Sequence, residues 1–183
     1  LRKPGQNFVR IFVAFPLPAL ISDRIREFIA FYENCEGVRW TRISNLHITV
    51  FFIGEVRPED LMPVKECIGP LLRHIEPIEL SFEKVTFRGG KKTPSMVWVQ
   101  FARNERFSSL SGKIGEMVSG FMTTNSSHPD PIPHITLARI KRKADISSVL
   151  TEKLNIPEII LLDRIELWQS LQTAEGVFYR RVE

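Results

Sequence analysis

Residues 45–56 read Asn45-Leu46-His47-Ile48-Thr49-Val50-Phe51-Phe52-Ile53-Gly54-Glu55-Val56. The run His47–Ile53 is dense in β-branched and aromatic residues and ends at a glycine, which predicts a strand. Successive strand side chains alternate between faces, so His47 and Thr49 project together while Ile48 and Val50 point into a core. The pattern returns 87 positions on, as Ile132-Pro133-His134-Ile135-Thr136-Leu137. Each copy sets an imidazole beside a hydroxyl on a rigid element with a buried apolar back, the placement a reacting group needs.

Working outward, Asn7–Phe15 reads as a strand ended by Pro16 and Pro18. Ala19–Tyr32 carries Ile21, Ile25, Phe28 and Ile29 at helical spacing. Val38–Thr41 is a short extended piece, and a second helix is expected from Glu59 to about His74. Ile78–Phe87 alternates as a half-buried strand. The Arg88-Gly89-Gly90-Lys91-Lys92 turn leads to a partner strand, Ser95–Phe101. A third helix spans Phe107–Met122, a polar loop Thr123–Pro133, a strand His134–Ile140 and a short helix Ile146–Leu154. A last strand pair, Ile159–Gln169 and Val177–Val182, turns around Ala174-Glu175-Gly176. Hairpins without a Gly-rich strand-to-helix turn predict an α+β chain with antiparallel pairing.

The chain has 183 residues, 43% hydrophobic and 25% charged, the balance of a globular protein. Residues 1–183 read as a single domain. The longest apolar run, Ile11–Ile21, is shorter than the roughly 18 residues of a membrane span and is broken by Pro16 and Pro18. The N-terminus shows no leader pattern. Cys35 and Cys67 are too few for a disulfide scaffold and read as half-buried thiols in helices, so a reducing, cytoplasmic setting is expected. The net charge of +4 gathers at Arg88, Lys91 and Lys92, at Arg139, Lys141, Arg142 and Lys143, and at Arg180 and Arg181. Such a distribution suits an anionic partner.

Two facing imidazoles suit paired acid–base catalysis, one accepting a proton from a nucleophile and the other donating to a leaving group. Imidazole titrates near pH 6.5, so both states are reachable at neutral pH. The two threonine hydroxyls are neutral donors suited to phosphate oxygens between the rings. Neither motif has metal-ligand spacing, and no serine or cysteine nucleophile stands beside either histidine. No metal and no cofactor are expected. Phe52 and Arg139 each stand five positions after a histidine, where an aromatic plane and a guanidinium could sandwich a base. A regular strand turns position +5 to the opposite face, leaving a core Phe and a surface Arg. The sandwich therefore requires a bulge or a strong twist at the strand end.

On these residues the chain resembles the two-histidine (2H) phosphoesterase superfamily, and within it the RNA 2′,3′-cyclic phosphodiesterases, also called 2′-5′ RNA ligases. The likeness runs from Arg10-Ile11-Phe12-Val13-Ala14-Phe15-Pro16 through the two His-Ile-Thr segments and Val97-Trp98-Val99 to Gly176-Val177-Phe178-Tyr179. It implies a bilobed fold of two antiparallel sheets with flanking helices and pseudo-two-fold symmetry about a central groove. It further implies cofactor-free opening of an RNA-terminal 2′,3′-cyclic phosphate to a 2′-phosphate. His47 would act as general acid on O3′, His134 as general base on water, and Thr49 and Thr136 would hold non-bridging oxygens; the two histidines exchange roles in the ligating direction. The expected partner is an RNA end or small nucleotide bearing the cyclic phosphate, and the expected state is a monomer. Reversible 2′-5′ ligation and an RNA-end binding module without turnover are the alternatives. Trp40, Trp98 and Trp168 read as core or rim residues, His128 as a loop residue and His74 as a helix-end residue.

Overall fold

The computed structural model describes residues 8–32, 34–90, 93–122, 131–142, 144, 149–150, 153–174 and 176–183. Thirteen elements follow in chain order: β1 (Val9–Pro16), α1 (Ala19–Ala30), β2 (Val38–Trp40), β3 (His47–Val56), α2 (Leu61–Cys67), α3 (Gly69–Arg73), β4 (Ile78–Gly90), β5 (Thr93–Phe101), α4 (Glu105–Val118), β6 (His134–Ile140), β7 (Ile159–Leu162), β8 (Glu166–Thr173) and β9 (Gly176–Arg181). Short 3₁₀ turns join several of them.

All strand pairs are antiparallel. The order β7-β4-β5-β6-β3-β1-β8-β9, with β2 also on β6, forms one hydrogen-bonded path. Its two halves, β9-β8-β1-β3 and β2-β6-β5-β4-β7, meet at one residue pair, Ile48 opposite Ile135. The two expected sheets are thus joined at their common edge. The two strands that carry the His-Ile-Thr segments form that edge.

Burial explains the joint. Ile48 and Ile135 have no exposed surface, and they share a core with Ile11, Val13, Phe15, Val97, Val99, Phe101 and the inner faces of α1 and α4. Each such side chain contributes about 1.5–3 kcal/mol when buried. A one-residue slip in either strand would turn its histidine inward and its isoleucine out. The α4 helix starts at Asn104, whose side chain accepts from the Phe107 N–H, and lies over β3 with Ser111 and Gly115 against it.

Several elements differ from the sequence reading. The helix expected over 59–74 breaks at Ile68 into α2 and α3, because Pro70 lacks the N–H an uninterrupted helix needs and instead opens a new first turn. The strand expected over 159–169 is two strands. Asp163-Arg164-Ile165 separate β7, which pairs with β4, from β8, which pairs with β1. The strand β3 runs on through Gly54, which adopts φ +91°. The third helix is regular over Glu105–Val118 and continues as a 3₁₀ turn to Phe121. Cys35 lies in a turn region rather than a helix, and neither cysteine is in a disulfide. Most of the expected loop 123–133 and helix 146–154, and His128, fall outside the described residues.

Candidate active site

The Ile48–Ile135 pair builds the site. In an antiparallel ladder the neighbours of a facing pair share the opposite face, so His47, Thr49, His134 and Thr136 all project into the groove. A local two-fold between the isoleucines exchanges one tripeptide for the other. His47 then lies across from Thr136, and Thr49 across from His134.

Both strands are bulged just after the threonine. Ala14 faces Thr49 and Val13 faces Phe51, which leaves Val50 as an extra residue in β3. Trp98 faces Thr136 and Val97 faces Ala138, which leaves Leu137 extra in β6. Each bulge reverses the alternation once and brings Phe52 and Arg139 onto the groove face with the histidines. Carbonyls released at the bulges find specific donors. The buried Ser111 hydroxyl donates to Val50 O at 2.8 Å. On the other side the Thr41 hydroxyl donates to Thr136 O at 2.8 Å and the Thr41 N–H to Leu137 O at 2.7 Å. Phe52 and Arg139 line one cavity with His47, Thr49 and Thr136, and the Arg10 guanidinium lies 4.7 Å from the Phe52 ring centre.

The imidazoles have matching tautomers. His47 Nδ1 lies 2.6 Å from Asn45 O, and His134 Nδ1 lies 2.8 Å from Ile132 O. A carbonyl only accepts, so each Nδ1 carries a proton and each Nε2 is the exchangeable site. The Thr49 hydroxyl donates to His47 Nε2 at 3.0 Å. Burial lowers both pKa values. His47 falls to about 4, mainly by desolvation, with the backbone bond to Asn45 opposing and the charge of His134 adding to the shift. His134 is lowered by desolvation and then by the Arg88 cation, against its bond to Ile132.

The two histidines have unlike walls. His47 is ringed by Phe12, Trp168 and Tyr179, with centroids 4.9, 5.4 and 5.1 Å away. Asn45, 5% exposed, fixes this side by donating to Val177 O and accepting from Tyr179 N–H. His134 stacks on Trp98 at 3.5 Å between centroids, and the Arg88 guanidinium lies 4.9 Å from the Trp98 ring. Arg88 donates to Gln100 Oε1, and Gln100 in turn donates to Glu83. Trp98 is therefore a half-buried residue of the groove wall, in contact with His134, a contact the core-or-rim reading does not include. Its place, with those of Arg88 and Gln100, follows from cross-strand register: Gln100 faces His134 and Met96 faces both Arg139 and Arg88. Trp40 is a core-side residue packed on Tyr32.

Thr49 and Phe52 divide the groove into a cavity of about 300 Å³ on the His47 side and one of about 620 Å³ on the His134 side. Among the described residues no three His, Cys, Asp or Glu side chains gather as a metal site. No described helix is long and apolar enough to cross a membrane.

An antiparallel platform that sets two His-x-Thr tripeptides on one groove face is the arrangement of a two-histidine phosphoesterase. Residues 21–174 match the model of the 2′-5′ RNA ligase superfamily, and the chain belongs to that family. It is 28% identical to the RNA 2′,3′-cyclic phosphodiesterase of Archaeoglobus fulgidus over 94% of this chain and 97% of the relative. The Thermotoga maritima protein of the same name is 24% identical over 94% and 92%. The fold is similar to that of E. coli LigT in complex with 3′-AMP, with a TM-score of 0.75 at 21% identity over 97% of this chain and 96% of LigT. A Thermus thermophilus protein gives the same score and identity over 95% of both chains.

Proposed function

We propose that this chain hydrolyses RNA-terminal 2′,3′-cyclic phosphates to 2′-phosphates by paired histidine acid–base catalysis, with no metal in the reaction. The observation that carries this is the Ile48–Ile135 pair, which faces two imidazoles of identical tautomer across one groove. His134 Nε2 takes a proton from water as its oxygen attacks phosphorus. The P–O3′ bond breaks, and protonated His47 Nε2 delivers its proton to O3′. The products are a free 3′-hydroxyl and a 2′-phosphate. Thr49 and Thr136 donate to the non-bridging oxygens, Phe52 stacks on the terminal base on the His47 side, and Arg139 attracts phosphate at that side of the groove.

The assignment of roles rests on the walls. Arg88 is a fixed cation beside the Trp98–His134 stack and keeps His134 neutral with substrate bound, as a base requires. Both imidazoles are lowered chiefly by desolvation, and His134 alone is further lowered by the Arg88 cation. A phosphate anion in the groove supplies the counter-charge that water no longer provides, and so favours the His47 imidazolium. All four groups come from one chain, which fits residues 1–183 acting as one bilobed domain and as a monomer. Cysteines outside any disulfide, Cys35 and Cys67, fit a cytoplasmic location.

The test is incubation of an oligoribonucleotide with a 2′,3′-cyclic end in EDTA, with the product followed by phosphorus NMR. A 2′-phosphate is expected. His47→Ala and His134→Ala should each lower kcat by about 10²–10⁴-fold. Full turnover by either variant would end the proposal. A second reading, reversible 2′-5′ ligation, is favoured by the size of the cavity beside His134, which admits a 5′-hydroxyl nucleoside in place of water. RNA-end capture without turnover predicts tight binding and no product in the same assay.

A further inference from the structure

In the β2–β6 ladder Arg39 stands directly opposite Arg139. Facing residues of an antiparallel pair project to the same side, so Arg39 shares the groove face that the Leu137 bulge gives Arg139. Two like charges opposite one another are unfavourable unless something neutralises them. Both are exposed, and among the described residues neither makes an ion pair with a carboxylate. Among the described residues no carboxylate lines the adjoining cavity, while Arg10 and Arg139 do. The Arg39–Arg139 pair therefore carries positive charge with no carboxylate partner among the described residues, next to the cavity that opens on His47.

The size of that cavity says what the pair meets. At about 300 Å³ it holds one nucleoside and no second nucleotide. A longer strand whose terminal ribose lies between the imidazoles must leave over the cavity mouth, carrying its next backbone phosphate with it. Guanidinium pairs are well matched to a phosphodiester because each offers parallel N–H donors in one plane.

We propose that Arg39 and Arg139 form a subsite for the phosphodiester on the 5′ side of the terminal nucleotide. The enzyme is thereby selective for polynucleotide ends over free cyclic mononucleotides. This inference rests on the catalytic reading above for the placement of the terminal ribose.

The experiment compares kcat/KM for a nucleoside 2′,3′-cyclic phosphate, a dinucleotide with the same cyclic end, and that dinucleotide with a neutral methylphosphonate linkage. The natural dinucleotide should be preferred over both others by roughly tenfold, with the advantage shrinking as salt rises. In Arg39→Gln the dinucleotide-to-mononucleotide ratio should fall by about the same factor, while Arg39→Lys retains part of it. Equal use of all three substrates by the wild type, or an unchanged ratio in Arg39→Gln, would overturn the subsite. If the wild type turns over none of them, the catalytic reading fails instead. Titration with the corresponding open 2′-phosphate products then decides the subsite by the same ratio.

Discussion

Trp98 lies flat on His134, with ring centroids 3.5 Å apart and planes 14° from parallel. The same indole carries a guanidinium, since Arg88 packs 4.9 Å from the Trp98 centre and is anchored through Gln100 to Glu83. A flat ring thus fixes the orientation of His134, and a nearby cation opposes its protonation.

Arg88→Gln should therefore raise the pKa of His134 toward the ordinary imidazole value and leave that of His47 little changed. His134 faces Trp98 and Gln100 from β5 and Thr49 and His47 from β3, and Arg88 from β4 is the charged group that lowers it, with Glu83 reached only through Gln100, so removal of that cation acts directly on the ring. NMR titration of the imidazole Hε1 signals checks this. The acid limb of kcat/KM against pH should move upward, and the loss of rate should be larger at pH 5 than at pH 7.5. An unmoved His134 signal would contradict the arrangement.

The bulge clamps predict paired effects. Ser111→Ala leaves the Val50 carbonyl unpaired under α4 and should cost about 1–2 kcal/mol of stability. Thr41→Val removes the hydroxyl bond to Thr136 O and should cost about 1 kcal/mol. Both should raise KM through displacement of Phe52 or Arg139, and urea unfolding together with steady-state kinetics measures the two effects. Instability without a change in KM would show that the bulges do not position those side chains.

Acid should weaken the fold through His47. Its folded pKa of about 4 lies below the ordinary 6.5, so the unfolded chain binds the proton more readily between those values. Stability is fully present above pH 6.5 and declines as pH falls toward 4, by roughly 2–3 kcal/mol for this group. His47→Gln should flatten that part of the curve in urea melts at pH 4, 5, 6 and 7. A wild-type slope retained in the variant would assign the acid sensitivity to other groups.

Much of the site was legible because it is local. The alternation His-Ile-Thr places two side chains on one face whatever the partner strand, and the repeat at His134 carries the same instruction. The +5 offset of Phe52 and Arg139 required a bulge or a strong twist, and the structure has the bulges, at Val50 and Leu137. Trp98 and Arg88 were not legible as site residues. Their meeting with His134 depends on registers β4–β5 and β5–β6, which no short window encodes. The division of 59–74 was present in Gly69-Pro70, but apolar spacing continues across it and hides the break. The apolar runs 159–162 and 165–168 likewise merge by periodicity, and only their separate pairing with β4 and β1 parts them.

The near-palindrome about Ile48 and Ile135 has one more consequence. Two rings related by a two-fold have no inherent sense of direction, so the imidazole pair is blind to which end of a diester it is handed. Polarity must come from the scenery: an aromatic alcove of Phe12, Trp168 and Tyr179 around one ring, an indole capped by a cation beside the other. Repainting those walls while sparing the four central side chains is thus the route by which this scaffold could be taught to run its chemistry the other way round.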